Sequence, residues 1–429
     1  MEERPEELRR AIGVPGAVLM GLGSIIGTGI FVSIAIATQV AGNGVVLAIF
    51  LAGVLATFNG LSSAQLAAAH PVSGGTYEYG YKFLSPLLGF TAGWMFVVAK
   101  SASAATAILG CIAYTFYAFD LDLTYGASVS AGLALLVIIT VMVSGGIRRS
   151  NRVNKVITGV TLIGLAVLLL VAWWRGGIPK EPLQDLAVDF EWNATLYATA
   201  LMFVAYTGYG RIATLGEEVL NPKVTIPRAI IAAMIFIVLL YLLVSLTSLH
   251  IMGAEAFGKT IEGDAAPLMA VSKLLGYPAV EIIVTFAAIT AMLGVLLNLL
   301  LGLSRVILSM ARRGDLPVRF ADVQKSTGSP NVAVWTTAVV IGILVLSGDV
   351  FFTWAFSALT VLIYYSITNL AALFIPAEMR LYPRWMAVAG LVGCLFLAYW
   401  IDPTIWIYGL AVLLPGLLWH FLRFKYRRA

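Results

Sequence analysis

Residues 21–31 of the 429-residue chain read Gly-Leu-Gly-Ser-Ile-Ile-Gly-Thr-Gly-Ile-Phe, inside an apolar run that extends from residue 14 to residue 38. A helix of about 20 apolar residues is long enough to cross roughly 30 Å of hydrocarbon. Each glycine weakens a helix by about 1 kcal/mol relative to alanine. Four glycines within nine residues therefore predict a membrane-spanning helix that is interrupted near its middle.

A second interruption is predicted in the sixth apolar run, residues 193–214, where residues 206–210 read Tyr-Thr-Gly-Tyr-Gly. Backbone can unwind at membrane depth only where protein or a water-filled cavity satisfies its N–H and C=O groups. Interrupted helices at corresponding positions of two halves are typical of the binding site of an inverted-repeat transporter. The same glycines would also permit close helix packing, as small residues do in membranes. The matching positions of the two clusters favour the interruptions.

The composition indicates that lipid is the solvent for most of the surface. Hydrophobic residues make up 60% of the chain and charged residues 11%, with a mean hydropathy of +0.93. Soluble domains carry roughly 25% charged residues, and a soluble chain of this length could not hide so much apolar surface. Twelve apolar segments are predicted to span the membrane, at residues 14–38, 44–69, 86–118, 126–146, 154–174, 193–214, 227–251, 278–310, 332–347, 351–375, 386–400 and 404–422.

The basic residues predict the orientation, because cytoplasmic loops of membrane proteins are enriched in Lys and Arg. With a cytoplasmic N-terminus, 20 of the 27 basic residues fall on the cytoplasmic side, 4 fall on the opposite side and 3 lie in or beside a span. We therefore expect a multi-pass protein of the plasma (inner) membrane with both termini cytoplasmic. The net charge of +5 then follows from topology, and no nucleic-acid partner is expected.

Four groups of motifs resemble the amino acid–polyamine–organocation (APC) superfamily of permeases. They are GTGIF at 27–31; PVSGGTY at 71–77 with GFTAGW at 89–94; FVAYTGY at 203–209 with EEVLNP at 217–222 and IP at 226–227; and SR at 304–305 with ARRGDLP at 311–317. Their order and spacing are specific for the superfamily but not for a substrate.

This resemblance implies an all-α integral membrane fold of 12 transmembrane helices with a LeuT-type 5+5 inverted repeat. The first repeat would occupy residues 1–175 and the second residues 190–376, with two extra helices at residues 385–422. The whole chain would then form a single transmembrane transporter domain, with helices 1 and 6 unwound at mid-membrane.

The predicted substrate site consists of backbone groups at the two interruptions and two nearby aromatic side chains: Ile25, Ile26, Gly27, Thr28, Gly29, Val204, Tyr206, Thr207 and Tyr209. Free N–H groups at the start of a half-helix, here those of Thr28 and Gly29, suit a carboxylate. The free carbonyls that precede each break suit an ammonium group. The resemblance implies the same assignment, and it implies that Tyr206 or Tyr209 covers the bound substrate.

The sequence departs from the superfamily at the positions that couple transport to ions. Proton-coupled and some exchanging members carry a lysine in the fifth helix, where the motif match places Thr161. Sodium-coupled relatives use paired hydroxyls in the eighth helix, whereas the matching stretch here is Leu293-Gly294, with Thr290 one turn away. A hard cation needs several oxygen ligands, so sodium coupling at that site is not expected.

Two charged features remain as candidates for coupling or gating. Lys100 lies inside the third span, where a charge costs at least about 2.5–3.5 kcal/mol on insertion scales. We hypothesise that Lys100 titrates during transport or serves as a fixed cation; snorkelling and structural pairing are the alternatives. Arg211 and Glu218 are seven residues apart and would share one helix face, as a cytoplasmic gate, a loop clamp or a static ion pair.

We interpret the chain as a secondary active transporter of amino acids that works by alternating access, coupled to protons or to exchange. No Asp or Glu lies deep in a core span, which favours neutral substrates over polyamines, cationic amino acids and other organic cations; acidic substrates are a further alternative. A non-transporting nutrient sensor of the same fold is a second function class. A membrane enzyme is disfavoured because no catalytic constellation converges. The expected partners are an amino acid, the lipid bilayer and protons, without a cofactor or a metal.

Overall fold

A computed structural model describes residues 12–70, 74–122, 124–146, 151–176, 191–213, 219–262, 265–324 and 327–428. In these ranges the regular structure is helical, apart from an isolated parallel β-bridge between Ile12 and Val219. The α-helices run α1 Val14–Ile25, α2 Thr28–Phe31, α3 Ser33–Ala41, α4 Val45–Ala69, α5 Thr76–Phe83, α6 Pro86–Ala118, α7 Tyr125–Ser144, α8 Asn151–Gly176, α9 Trp192–Tyr206, α10 Gly210–Ala213, α11 Pro222–Met252, α12 Ala254–Lys259, α13 Pro267–Leu274, α14 Pro278–Arg313, α15 Asn331–Val345, α16 Val350–Leu373, α17 Arg384–Tyr399 and α18 Pro403–Arg428.

Eight helical stretches are apolar and long enough to cross a membrane, counting Thr28–Ala69 as one stretch. Helices α1, α15 and α17 are apolar but shorter. The eight stretches fall short of the twelve predicted segments partly because the first segment is divided after Ile25 and the sixth after Tyr206. The helices make the chain a multi-pass membrane protein.

The starts of the two central helices are encoded locally. Helix α6 begins with a proline, and the Ser85 side chain before it accepts a hydrogen bond from the Leu88 N–H at 3.3 Å. Helix α16 is capped in the same way by Asp349, which accepts from the Phe352 N–H at 3.0 Å. Each cap satisfies a backbone donor that the first helical turn leaves without a partner.

Helices α6 and α16 form the centre of the bundle. In their most apolar windows 89% and 83% of the residues are buried, compared with 22% in α18. Packing and interhelical hydrogen bonds hold such helices together, since lipid gives little hydrophobic drive for association. Here hydroxyl pairs join the two helices, Ser103 to Ser357 at 2.8 Å and Thr106 to Thr353 at 2.9 Å. Lys100 lies one turn before Ser103 in α6, and its side chain is therefore buried at the centre of the bundle.

Two of the sequence motifs meet at one end of the bundle, although they are more than 230 residues apart. Tyr77 and Tyr81 of α5 each donate a hydrogen bond to the Asp315 carboxylate at 2.7 Å. Glu78, also in α5, forms an ion pair with Arg313 at the end of α14. These motifs therefore fix the packing of α5 against the end of α14.

Candidate substrate site at two helix interruptions

The first interruption separates α1 from α2 by two residues with extended backbone, Ile26 and Gly27. The N–H groups of Ile30 and Phe31 both donate to the Gly27 carbonyl, at 3.1 and 3.2 Å. Within the described ranges, the N–H groups of Thr28 and Gly29 have no acceptor. The Thr28 hydroxyl is also buried, with no described partner. Three hydrogen-bonding groups without a described partner therefore lie in two consecutive residues at the start of α2.

The second interruption is a 3-10 turn, Thr207–Tyr209, that separates α9 from α10. The Val204 carbonyl accepts two hydrogen bonds from Thr207, one from its N–H and one from its hydroxyl at 2.7 Å. The Thr207 carbonyl accepts from the Tyr365 hydroxyl at 3.3 Å. The two carbonyls that we expected to be free at this second interruption, those of Val204 and Thr207, are therefore engaged by the protein.

The two interruptions lie directly against each other. A Cβ atom placed on Gly208 would lie 2.3 Å from the carbonyl oxygen of Ser24. One placed on Gly29 would lie 2.5 Å from the Tyr241 hydroxyl and 3.1 Å from the Ala205 side chain. Both glycines are therefore required for the close approach of the two interruptions. The glycines thus serve both purposes considered for them, helix interruption and close helix packing.

Tyr241 of α11 links the two interruptions, and the sequence analysis missed it. Its hydroxyl lies 3.2 Å from the Ile25 carbonyl oxygen and 3.0 Å from the Ala205 carbonyl oxygen. The available signal was a lone phenol in the apolar run LLYLLV at residues 239–244. An isolated polar group within a spanning helix is a reason to suspect a site.

The two predicted covering residues, Tyr206 and Tyr209, are fully buried and pack against other helices. The Tyr206 hydroxyl donates to the Ile49 carbonyl of α4 at 3.0 Å. The Tyr209 ring lies 5.6 Å from the Tyr365 ring of α16. That one of them covers a substrate stays a prediction.

Lys100 reaches the second interruption. Its side chain is buried, and its Nζ donates to the Thr207 hydroxyl at 2.8 Å. The ion pairs in the described part of the chain are Lys259 with Glu255 and Arg313 with Glu78, so no described carboxylate pairs with Lys100. The Lys100 ammonium therefore points into the bundle toward Thr207, and that it acts in coupling or gating rather than in structural pairing stays a prediction.

Helix α8 packs against α1 at Gly23 and carries Thr161, the position at which the resemblance would place a lysine. Thr161 is buried, and its hydroxyl donates to the Ile157 carbonyl within its own helix at 2.8 Å. One turn earlier, the Thr158 hydroxyl lies against Gly23 of α1. The position therefore carries a neutral hydroxyl that is satisfied locally.

Helix α14 presents apolar groups to the first interruption. The side chain of Val295 packs on Gly27, with the Ala291 backbone nearby. The Thr290 hydroxyl donates to carbonyls of its own helix, at 2.7 Å to Phe286 and 3.1 Å to Ala287. The groups of α14 nearest to Gly27 thus do not form the oxygen-rich shell that a hard cation needs.

Of the predicted pair of Arg211 and Glu218, the structure describes Arg211 alone. Arg211 is exposed in α10, and Glu218 lies outside the described residues. A different connection appears nearby: the Leu220 N–H donates to the Ile12 carbonyl at 2.9 Å, next to the bridge between Ile12 and Val219. The segment before α1 is thus attached to the segment after α10.

Known proteins with similar sequences are permeases and other transporters. The family model for amino acid permeases matches residues 16–427. An uncharacterized transporter of Mycobacterium tuberculosis is 37% identical over 395 residues, 92% of this chain and 87% of that protein. The methylthioribose transporter of Bacillus subtilis is 30% identical over 79% of this chain and 75% of its own. The branched-chain amino acid permease BcaP of the same organism is 29% identical over 79% and 76%.

The family match covers nearly the whole chain, and the relatives named above are transporters rather than enzymes. The two Bacillus subtilis relatives are named for different substrates, so the similarity establishes transport without choosing a substrate. The chain belongs to the amino acid permease family of the amino acid–polyamine–organocation superfamily.

Proposed function

We propose that this protein is a secondary active transporter of amino acids, with a preference for neutral ones, that works by alternating access. The observation that carries the proposal is the presence of three hydrogen-bonding groups without a described partner at the start of α2, directly against a second interrupted helix. The proposal includes twelve spans in the plasma membrane with both termini cytoplasmic. It also includes two inverted repeats, residues 1–175 and 190–376, followed by two helices within residues 385–422.

The substrate carboxylate would bind at the start of α2. The N–H groups of Thr28 and Gly29 and the Thr28 hydroxyl can each donate one hydrogen bond to it. Half-helix N-termini that point at an anionic substrate group are a recurrent device in transporters with broken helices. The unpaired Thr28 hydroxyl supports this assignment, since a buried polar group without a partner costs about 1–3 kcal/mol unless a ligand satisfies it.

The substrate ammonium would bind between the two interruptions. Tyr241 has one hydroxyl hydrogen for two carbonyls, those of Ile25 and Ala205, so it cannot fully satisfy both. The Ile26 carbonyl has no donor among the described residues. An ammonium group brings three donors and would complete this set.

The connections around the site support motion as two units. On one side of the break, α1 is tied to α10 by the contact between Ile12 and Val219 and by close packing of Ile212 on Gly21. On the other side, the Tyr114 hydroxyl of α6 donates to the Phe31 carbonyl of α2 at 2.8 Å. A hinge at the two extended residues between α1 and α2 would let the first unit move against the second.

Coupling would involve protons or exchange rather than sodium. The face of α14 at Gly27 is apolar and Thr161 in α8 is neutral, whereas the Lys100 ammonium directly contacts the second interruption. We propose that Lys100 acts in coupling or gating through its hydrogen bond to Thr207, as a titrating group or as a fixed cation.

The proposal is tested with purified protein in liposomes, by uptake of each of the twenty amino acids with and without an imposed pH gradient. We expect uptake of neutral amino acids, and a loss of at least about tenfold in affinity for Thr28→Val, which removes one donor to the carboxylate. Thr336→Val is the matched control, because that exposed hydroxyl donates only within α15. Specific binding without uptake would replace the proposal by a sensor function. Absence of both would refute it.

A further inference from the structure

A chain of two hydrogen bonds connects a buried positive charge to the second interruption. The Lys100 ammonium donates to the Thr207 hydroxyl at 2.8 Å, and that hydroxyl donates to the Val204 carbonyl at 2.7 Å. A lysine ammonium has three donors and no acceptor. The direction of both bonds is therefore fixed, and the hydroxyl acts as acceptor toward Lys100 and as donor toward Val204.

The described surroundings of this charge are neutral. One turn along α6, the Ser103 hydroxyl pairs with Ser357 at 2.8 Å, and Ser357 donates to the Ala99 carbonyl at 3.0 Å. No carboxylate in the described ranges forms an ion pair with Lys100. Charges within spanning segments normally pair with an opposite charge or face a substrate pathway. Lys100 has no described opposite charge, and its ammonium lies against Thr207 of the second interruption, so its charge adds to the potential there.

We infer that Lys100 determines the charge class of the substrate: it excludes amino acids with a cationic side chain and admits neutral or anionic ones. The inference rests on the proposed function and deepens it, since it decides between neutral and cationic substrates at the same site. The α-ammonium of every amino acid is offset by its α-carboxylate. A cationic side chain brings a further charge that no described acid in the site offsets.

The expected size of the exclusion follows from Coulomb's law. Two unit charges about 8 Å apart at an effective dielectric constant of about 20 repel strongly enough to weaken binding by about 30-fold. A bound cationic side chain that reached closer would be penalised more. Substitution of Lys100 by a neutral residue of similar length should remove this penalty selectively, because the α-carboxylate and the α-ammonium keep their backbone partners.

The test uses pairs of amino acids that differ mainly in side-chain charge, norleucine with lysine and citrulline with arginine. Each competes with a radiolabelled neutral substrate for uptake into liposomes, and each is also tested for thermal stabilisation of the purified protein. In the wild type we expect the cationic member to bind about 30-fold more weakly. In Lys100→Met the ratio should fall to about threefold or less, whereas Lys100→Arg should keep it.

Two controls separate charge selection from a structural role. Thr207→Val breaks the hydrogen-bonded chain but leaves the ammonium in place, so the site should weaken for both members of a pair while the ratio persists. Lys273→Met removes a lysine that is exposed and packs on the Tyr117 ring, and it should leave the ratio unchanged.

Equal competition by both members of each pair in the wild type would overturn the inference. An unchanged ratio in Lys100→Met would do the same, and so would loss of all binding in that variant, which would assign Lys100 a supporting role. If the wild type takes up and binds no amino acid, the proposed function fails together with this inference. If neutral and cationic amino acids are taken up equally, this inference fails together with the proposed preference for neutral substrates, while amino acid transport itself stands.

Discussion

Replacement of Gly208 by alanine tests whether the two interruptions must touch. The added Cβ would lie 2.3 Å from the Ser24 carbonyl oxygen, 2.5 Å from its carbonyl carbon and 2.7 Å from the Ile25 nitrogen. All three neighbours are backbone atoms, so no side chain can turn away to make room. The turn and α1 would have to separate by roughly 1 Å to restore normal contact distances.

Overpacking of this kind costs about 1–3 kcal/mol. Part of the cost should appear as a lower melting temperature of the purified protein. The separation should also move the Ile25 and Ala205 carbonyls apart, so that the Tyr241 hydroxyl and a substrate ammonium can no longer contact both. We therefore expect uptake at low substrate concentration to fall by at least about tenfold.

Gly159→Ala in α8 provides a matched control, because a Cβ there meets no atom within 4 Å. That change should leave uptake intact and should stabilise the helix by up to about 1 kcal/mol. Gly208→Ala with the melting temperature and the uptake of the wild type would refute the reasoning, since it would mean that the two interruptions do not need to be in contact.

Three further predictions concern side chains around the site and at the end of the bundle. Tyr241→Phe should destabilise the substrate-free protein by about 1–3 kcal/mol, because two buried carbonyls lose a donor. A bound substrate ammonium should recover part of this loss, so the rise in melting temperature on adding substrate should exceed that of the wild type; an unchanged rise would argue against the shared carbonyls. Asp315→Asn should lower the melting temperature, since two tyrosine hydroxyls lose a charged acceptor, while leaving the substrate selectivity of uptake unaltered; altered selectivity would contradict its placement away from the site. Trp419→Phe should cost about 0.5–1.5 kcal/mol, because its indole N–H donates to the Asp315 carbonyl at 2.8 Å, and a denaturation curve identical to the wild type would contradict this.

Much of the helical layout could be predicted from consecutive residues. The runs at 86–118 and 351–375 coincide closely with α6 and α16, because hydropathy and capping are local properties. The interruption after Ile25 follows from the glycines around it. Boundaries were less accurate where an apolar run is divided, as in residues 193–214, since hydropathy does not register a change of helix geometry.

The hydrogen-bond partners within the site could not be predicted from consecutive residues in the same way. Sequence reasoning treated the Val204 carbonyl as free, whereas the hydroxyl and N–H of Thr207 both donate to it. It identified Lys100 as an unusual charge but gave it no partner, and it passed over Tyr241. Each of these features depends on which helix faces which, and residues that meet at the site are up to about two hundred positions apart in the chain.

The sequence by itself determined that this protein crosses the membrane many times, that its first spanning helix breaks at a glycine cluster, and that a lysine is buried within α6. These properties follow from sums over neighbouring residues: transfer of apolar side chains into lipid, and the backbone cost of glycine. Only the tertiary structure decided that the Thr28 hydroxyl is left unpaired, that Tyr241 joins the two breaks, and that Lys100 points at Thr207. The physical reason is that a hydrogen bond requires two groups within about 3 Å of each other, and the packing of distant helices alone sets that distance.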